Sequence, residues 1–180
     1  MEQKRKENEK LRLQKQKEKE KEAAKLKNPK SKDDIKLNDI WNNLHNLHLP
    51  AVEDYCSYHN IRMKYWEVMN LIKYGPEQHF MEHADHGFSY SATVSLVGYL
   101  NDEYEGGELV FPKLNITIKP KKGDLYIFPS TYLFSHIAKT VNSGTKYSLV
   151  TMLDYNDHAH NDEFMKMRQK WISDERNKSL

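Results

Sequence analysis

One cysteine, Cys56, in 180 residues leaves no partner for an intrachain disulfide, so nothing in the chain is fitted to an oxidising compartment and a reducing cytoplasm is the expected location. A single thiol also excludes a thiolate-rich structural zinc site, which takes four protein ligands. Long apolar runs are missing as well. No stretch approaches the roughly 18 residues of a membrane span, and the N-terminus has no apolar signal core, so no membrane association is expected. The mean hydropathy is −0.90, yet 38% of the residues are hydrophobic and 11% aromatic. A core can therefore form, provided the polar residues are gathered elsewhere.

They are gathered at the front. Met1–Asp33 holds 13 Lys and Arg against 7 Asp and Glu, a net +6. With +2 overall, residues 34–180 carry −4. The apolar residues of this arm, Leu11, Leu13, Ala23, Ala24 and Leu26, do not repeat at heptad spacing, which excludes a coiled coil. A solvated helix or a disordered arm is the simplest reading of 1–33. Contact of its lysines with nucleic acid or another acidic partner is the alternative, weakened by interleaved glutamates. Asn28–Lys32, with Pro29 and Ser31, reads as a linker into a single domain over 34–180.

That domain begins with a helical lead-in over 35–60, where Ile40, Trp41, Leu44, Leu47, Val52, Tyr55 and Cys56 recur at three- and four-residue steps. Pro50 is expected to split it in two. His45, His48 and His59 read as surface or packing residues, since none has a carboxylate or cysteine at ligand spacing. Short strands follow over about 63–155: Tyr65–Tyr74, Gln78–Asp85, Tyr90–Leu100, Glu108–Phe111, Ile116–Ile118, Asp124–Phe128, Phe134–Lys139 and Lys146–Asp154. Gly75-Pro76, Gly87, Gly106-Gly107, Pro112, Pro120, Pro129 and Gly144 punctuate them. In Tyr90–Leu100 one face carries Ala92, Val94, Leu96 and Leu100; the other carries Thr93, Ser95, Val97, Tyr99 and Asn101 and is polar enough to line a cavity. Residues 161–176 regain helical spacing, with Phe164, Met165, Met167, Arg168 and Trp171 as the packing side. The fold class is mainly β: a double-stranded β-helix, or jelly roll, with flanking N- and C-terminal helices.

Within this frame His83 and Asp85 are two apart, as on one side of a strand. His136 lies 51 positions after Asp85, and Lys146 ten after His136. Two imidazoles and one carboxylate leave coordination positions open, the donor set of a non-haem Fe(II) oxygenase. The pair alone is unspecific, because His160-Asn161-Asp162 repeats the spacing in the tail with no histidine downstream.

The order of motifs is far more specific. Tyr74-Gly75-Pro76, His83-Ala84-Asp85, Tyr99-Leu100-Asn101-Asp102, Gly106-Gly107-Glu108 with Phe111-Pro112, Lys121-Lys122-Gly123-Asp124 with Phe128, and His136 with Gly144, Lys146 and Tyr147 run in sequence across about 65–155. In this the chain resembles the prolyl 4-hydroxylase branch of the Fe(II)/2-oxoglutarate dioxygenases. The resemblance implies that His83, Asp85 and His136 hold Fe(II). It implies that Lys146 pairs with the distal carboxylate of 2-oxoglutarate, that Tyr99 hydrogen-bonds the same group, and that Tyr74 lies near the cosubstrate's iron-binding end. It further implies hydroxylation of an unactivated C–H bond, foremost of a peptidyl proline, with 2-oxoglutarate and O2 converted to succinate and CO2 and with ascorbate as a supporting reductant. A peptide or protein substrate is then expected. Lysine, a free amino acid or nucleic acid are alternative substrates, and a non-catalytic jelly-roll binding module tethered by the basic arm is the alternative outside enzymology. Two departures fall on the substrate side: Glu77 stands where the family often has Gly, and Phe88-Ser89-Tyr90 where it often has Arg.

Overall fold

In a computed structural model, which describes residues 32–87 and 91–178, the described residues form two α-helices, two 3-10 helices and eleven antiparallel strands. The arm over 1–31 and the Phe88–Tyr90 departure lie outside the described residues.

Helix α1 spans Lys32–Tyr58 and continues through Pro50, contrary to the expected split. A proline forfeits one backbone hydrogen bond, but its fixed φ is itself helical. The helix therefore persists where the residues on both sides keep their own bonds. By its contacts the chain divides into Met1–His48 and Leu49–Leu180. In the first unit Ile40 and Leu47, expected on a packing face, are exposed.

The second unit carries the strands: β1 (Tyr65–Trp66), β2 (Asn70–Tyr74), β3 (Phe80–His83), β4 (Val94–Tyr99), β5 (Tyr104–Gly106), β6 (Leu109–Phe111), β7 (Ile116–Ile118), β8 (Leu125–Pro129), β9 (His136–Ala138), β10 (Val141–Gly144) and β11 (Lys146–Asp154). One sheet runs β1-β11-β4-β8 with β2 also on β11, a second runs β3-β9-β6-β7, and β5 pairs β10. The expected strand over 65–74 is thus interrupted. Trp66 faces Leu153 and Asn70 faces Val150, so one extra residue accumulates between them and the chain bulges. Residues 104–106 and 141–144, which no expected strand covers and which contain the punctuating Gly106 and Gly144, form a ladder. Gly106 permits it, since φ is +74° and a Cβ there would lie 2.3 Å from the Thr140 carbonyl oxygen.

All six residues of β4 are buried, because each face meets its own core. Val97 and Tyr99 pack with Leu109, Phe111 and Phe128, drawn from both larger sheets. Val94 and Leu96 pack with Leu153 and with Val52 of α1, flanked by Tyr55 and Cys56. Leu100 lies beyond the strand end and is exposed rather than on the core face. Helix α2 (Asp162–Lys178) starts where Asn161 Oδ1 accepts from the N–H groups of Glu163 and Phe164, at 2.9 and 3.1 Å, an N-cap. Met167 and Trp171 on it are exposed, so the apolar spacing there overstated the packing side.

Candidate metal and carboxylate site

The register of β3 and β9 places His83 opposite His136. Phe80 pairs with Ala138 in the same ladder, so three steps on β3 oppose two on β9. Such a bulge re-aims side chains next to sites. Asp85 is not on the strand, which ends at His83; it sits in the following bend. The chain is anchored just beyond it, where His86 donates its N–H to the Ser130 carbonyl at 3.0 Å. Strand alternation was therefore the wrong reason for the right juxtaposition.

His83 Nε2 lies 3.4 Å from Asp85 Oδ1 and His136 Nε2 lies 3.9 Å from Asp85 Oδ2. The three ligand atoms all fall within 4.8 Å of one another, the one such group among the described residues. Each imidazole is held from behind by the carbonyl two residues earlier. His83 Nδ1–H donates to Met81 O at 2.9 Å and His136 Nδ1–H to Phe134 O at 3.1 Å. That arrangement fixes the tautomer and leaves both Nε2 lone pairs aimed at the space beside Asp85.

Burial opposes charging of His83, but its hydrogen bonds to Asp85 and the Met81 carbonyl outweigh this and its pKa is raised. For His136 burial dominates over the attraction of Asp85, and its pKa is lowered. Burial also works against the Asp85 carboxylate, yet hydrogen bonds from His83 and Ser95 and the nearby imidazoles hold it below the usual range. A carboxylate held below its usual range beside two imidazole nitrogens offers the negative charge and lone pairs that a cation takes. The donor set of two nitrogens and one oxygen, with no thiolate, fits Fe(II) and leaves positions open.

These three residues border a cavity of about 280 Å³ that also receives Tyr74, Tyr99 and Lys146. All six residues singled out in the sequence meet there. Lys146 opens β11 opposite Tyr74 and is only 2% exposed. Its Nζ donates to Gly107 O at 2.8 Å and lies 5.2 Å from the ring centres of both Tyr74 and Tyr99, a cation held between two π faces. Burial lowers its pKa to about 8, opposed by Glu108. Burial likewise raises both tyrosines, keeping them as neutral donors. Neither phenol hydroxyl is hydrogen-bonded among the described residues, and Lys146 keeps two unused N–H groups. The cavity thus combines a cation and two O–H donors with the metal donors, and Ile72, Val97 and Leu109 are among its apolar lining.

The sequence reading missed Ser95 and Ser130. Ser95 Oγ donates to Asp85 Oδ2 at 2.6 Å and lies 2.7 Å from Ser130 Oγ. Ser95 was legible as a polar residue on the inward face of β4; Ser130 carried no signal. It also missed a brace in which Lys113 Nζ and Ser135 Oγ both donate to Glu82 Oε1, at 2.9 and 2.7 Å, tying the neighbours of the two histidines together. His160, in the twin motif, is used otherwise: it stacks on Tyr65 and sits 3.3 Å from Asp154.

Residues 69–154 match the model of the 2OG-Fe(II) oxygenase superfamily. A putative prolyl 4-hydroxylase of Acanthamoeba polyphaga mimivirus is 31% identical over 91 residues, covering 44% of this chain and 38% of that protein. A PKHD-type hydroxylase of Crocosphaera subtropica is 29% identical over 99 residues, covering 50% and 44% respectively. The chain therefore spans less than half the length of these relatives. Among solved structures, the viral collagen prolyl hydroxylase vCPH from Paramecium Bursaria Chlorella virus-1, in its 2OG complex, superposes with a TM-score of 0.53 at 24% identity, over 64% of this chain and 72% of that one. That likeness establishes the shared jelly-roll fold.

Proposed function

We propose that this chain, which belongs through its residues 69–154 to the 2OG-Fe(II) oxygenase superfamily, hydroxylates an unactivated C–H bond of a peptidyl residue, proline foremost. The observation that carries this reading is the convergence of His83, Asp85 and His136 on one point of a cavity that also holds the buried Lys146, whose ammonium has one carbonyl as its hydrogen-bond partner. A structural metal site has no use for that lysine; a cosubstrate dianion does. Proline is favoured because the mimivirus relative is described as a prolyl 4-hydroxylase.

In this reading His83 and His136 would hold Fe(II) through Nε2, and Asp85 through a carboxylate oxygen. Bound Fe(II), with 2-oxoglutarate and O2, supplies the oxidising power for hydroxylation, yielding succinate, CO2 and hydroxylated product. Lys146 would pair with the distal carboxylate of 2-oxoglutarate, a charge-assisted contact. Tyr99 would donate its O–H to the same carboxylate, and Tyr74, whose ring lies as close to Lys146 Nζ as that of Tyr99, would line that same end rather than the iron-binding end expected from the sequence. The apolar residues in the cavity lining would strengthen each of these contacts by lowering the local dielectric. Ascorbate would serve as a supporting reductant.

The test is turnover. Full-length protein with Fe(II), ascorbate and 2-oxoglutarate is expected to release succinate in step with a proline-rich peptide gaining the mass of one oxygen atom. If wild type consumes no 2-oxoglutarate with or without any peptide, the enzymatic reading fails. Consumption coupled to a lysine peptide or a free amino acid instead would keep the chemistry and replace the substrate.

A further inference from the structure

Asp85 is served by more than the two histidines. Its side chain is 6% exposed, and Ser95 Oγ donates to Oδ2 at 2.6 Å. Ser95 has a single hydroxyl proton, committed to the carboxylate, so in its 2.7 Å contact with Ser130 the latter must be the donor. Both serines are fully buried, at 0% and 1% exposure. The result is a directed chain, from Ser130 O–H to Ser95 O–H to Asp85 Oδ2. Hydrogen bonds in such a chain polarise one another. Its backbone is fixed as well: Ser130 N–H donates to Thr93 O, and Ser130 O accepts from His86 N–H, at 3.0 Å each. Ser95 lies on β4 opposite Phe128 of β8, and Ser130 directly follows the last residue of β8. The bend carrying Asp85 lies beyond the end of β3, so this chain and the His86 contact, together with the His83 imidazole, orient its carboxylate.

We propose that Ser95 and Ser130 form a hydroxyl relay that reserves Asp85 Oδ2 for the protein and presents Oδ1, the oxygen nearer His83, to the metal as a single-oxygen ligand. The proposal rests on the metal-site reading given above. Ser95 and Ser130 are positioning residues: they touch neither metal nor substrate and act through Asp85. A carboxylate tethered in this way stays in place before the ion arrives, so metal binding needs no reorientation. Removing an outer hydrogen bond of this kind costs about 10- to 100-fold in metal affinity.

The experiment is anaerobic titration of the full chain with Co(II) alone, read by its visible absorption, for wild type, Ser95→Ala, Ser130→Ala and Asp85→Ala. Thermal unfolding of each metal-free protein is measured alongside. Expected are a Co(II) affinity at least about tenfold weaker in Ser95→Ala, a smaller but measurable loss in Ser130→Ala, and a changed Co(II) band shape in Ser95→Ala as the second carboxylate oxygen becomes available. Affinity within twofold of wild type and an unchanged spectrum in Ser95→Ala would overturn the relay. If Ser95→Ala does not fold, Ser130→Ala decides: wild-type affinity in that variant rejects the proposal and a loss supports it. Wild type and Asp85→Ala behaving alike would instead overturn the underlying metal-site reading, a distinct result.

Discussion

The proposed pairing of Lys146 with 2-oxoglutarate makes that binding pH-dependent. Lys146 lies between two tyrosine rings with one carbonyl as its polar partner, and burial lowers its pKa from 10.5 to about 8. That lowering corresponds to roughly 3 kcal/mol spent on keeping the ammonium charged in the free cavity. A bound dianion needs the charged form. At pH 7 about nine-tenths of Lys146 is protonated and at pH 9 about one-tenth, so the affinity for 2-oxoglutarate should fall about tenfold between these values and continue falling above. The folded chain holds fewer protons than the unfolded one between about 8 and 10.5, so in that window the stability of the protein without cosubstrate should rise with pH. The assay is calorimetric titration of 2-oxoglutarate into Mn(II)-saturated protein at constant ionic strength from pH 7 to 9.5. Lys146→Met should bind weakly with no pH trend over this range. An affinity independent of pH in wild type would refute the reasoning.

Asp85→Ala and His136→Ala should each lose metal binding and succinate formation while keeping a cooperative unfolding transition. Metal binding by wild type should also weaken as pH falls through the raised pKa of His83, because protons compete for Nε2; Co(II) titration at several pH values checks this. Glu77 stands at φ +66°, a conformation that costs a non-glycine residue about 1–2 kcal/mol. After the entropic penalty of glycine, Glu77→Gly should stabilise by about 0.5–1 kcal/mol in urea unfolding; destabilisation would show that the strain is not there. Gly107→Ala should cost about 1–3 kcal/mol, since φ is +68° and the new Cβ would meet Tyr104 Cε2 at 3.0 Å and Lys146 Cδ at 3.2 Å. The same variant should weaken 2-oxoglutarate binding more than metal binding.

The parts of the site that were legible in the sequence are those whose chemistry is unusual. A histidine, a carboxylate, a later histidine and a lysine just past a turn have few other uses in that order, and they meet in one cavity. What stayed hidden depends on register and on backbone partners. The bulges in β1–β2 and β3 shift the alternation by one residue, which no period-2 pattern reports. β5 and β10 are short and rich in turn formers, and only their mutual pairing makes them strands. Asp85 was assigned to a strand because spacing by two suits one, whereas its orientation comes from Ser95 on a distant strand. Pro50 was weighted as a breaker although its φ is helical. Glu77 is the reverse case: its departure from glycine was visible in the sequence, and the structure supplies the positive φ that explains why glycine suits that position.

The central claim is that His83, Asp85 and His136 hold Fe(II) in a cavity whose far end takes 2-oxoglutarate through Lys146. Anaerobic addition of Fe(II) and then 2-oxoglutarate to the full-length protein tests both halves together. A visible charge-transfer band, saturating at one equivalent of each and absent in His136→Ala and Lys146→Met, is the predicted result. Colourless protein that retains no Fe(II) on desalting would contradict it.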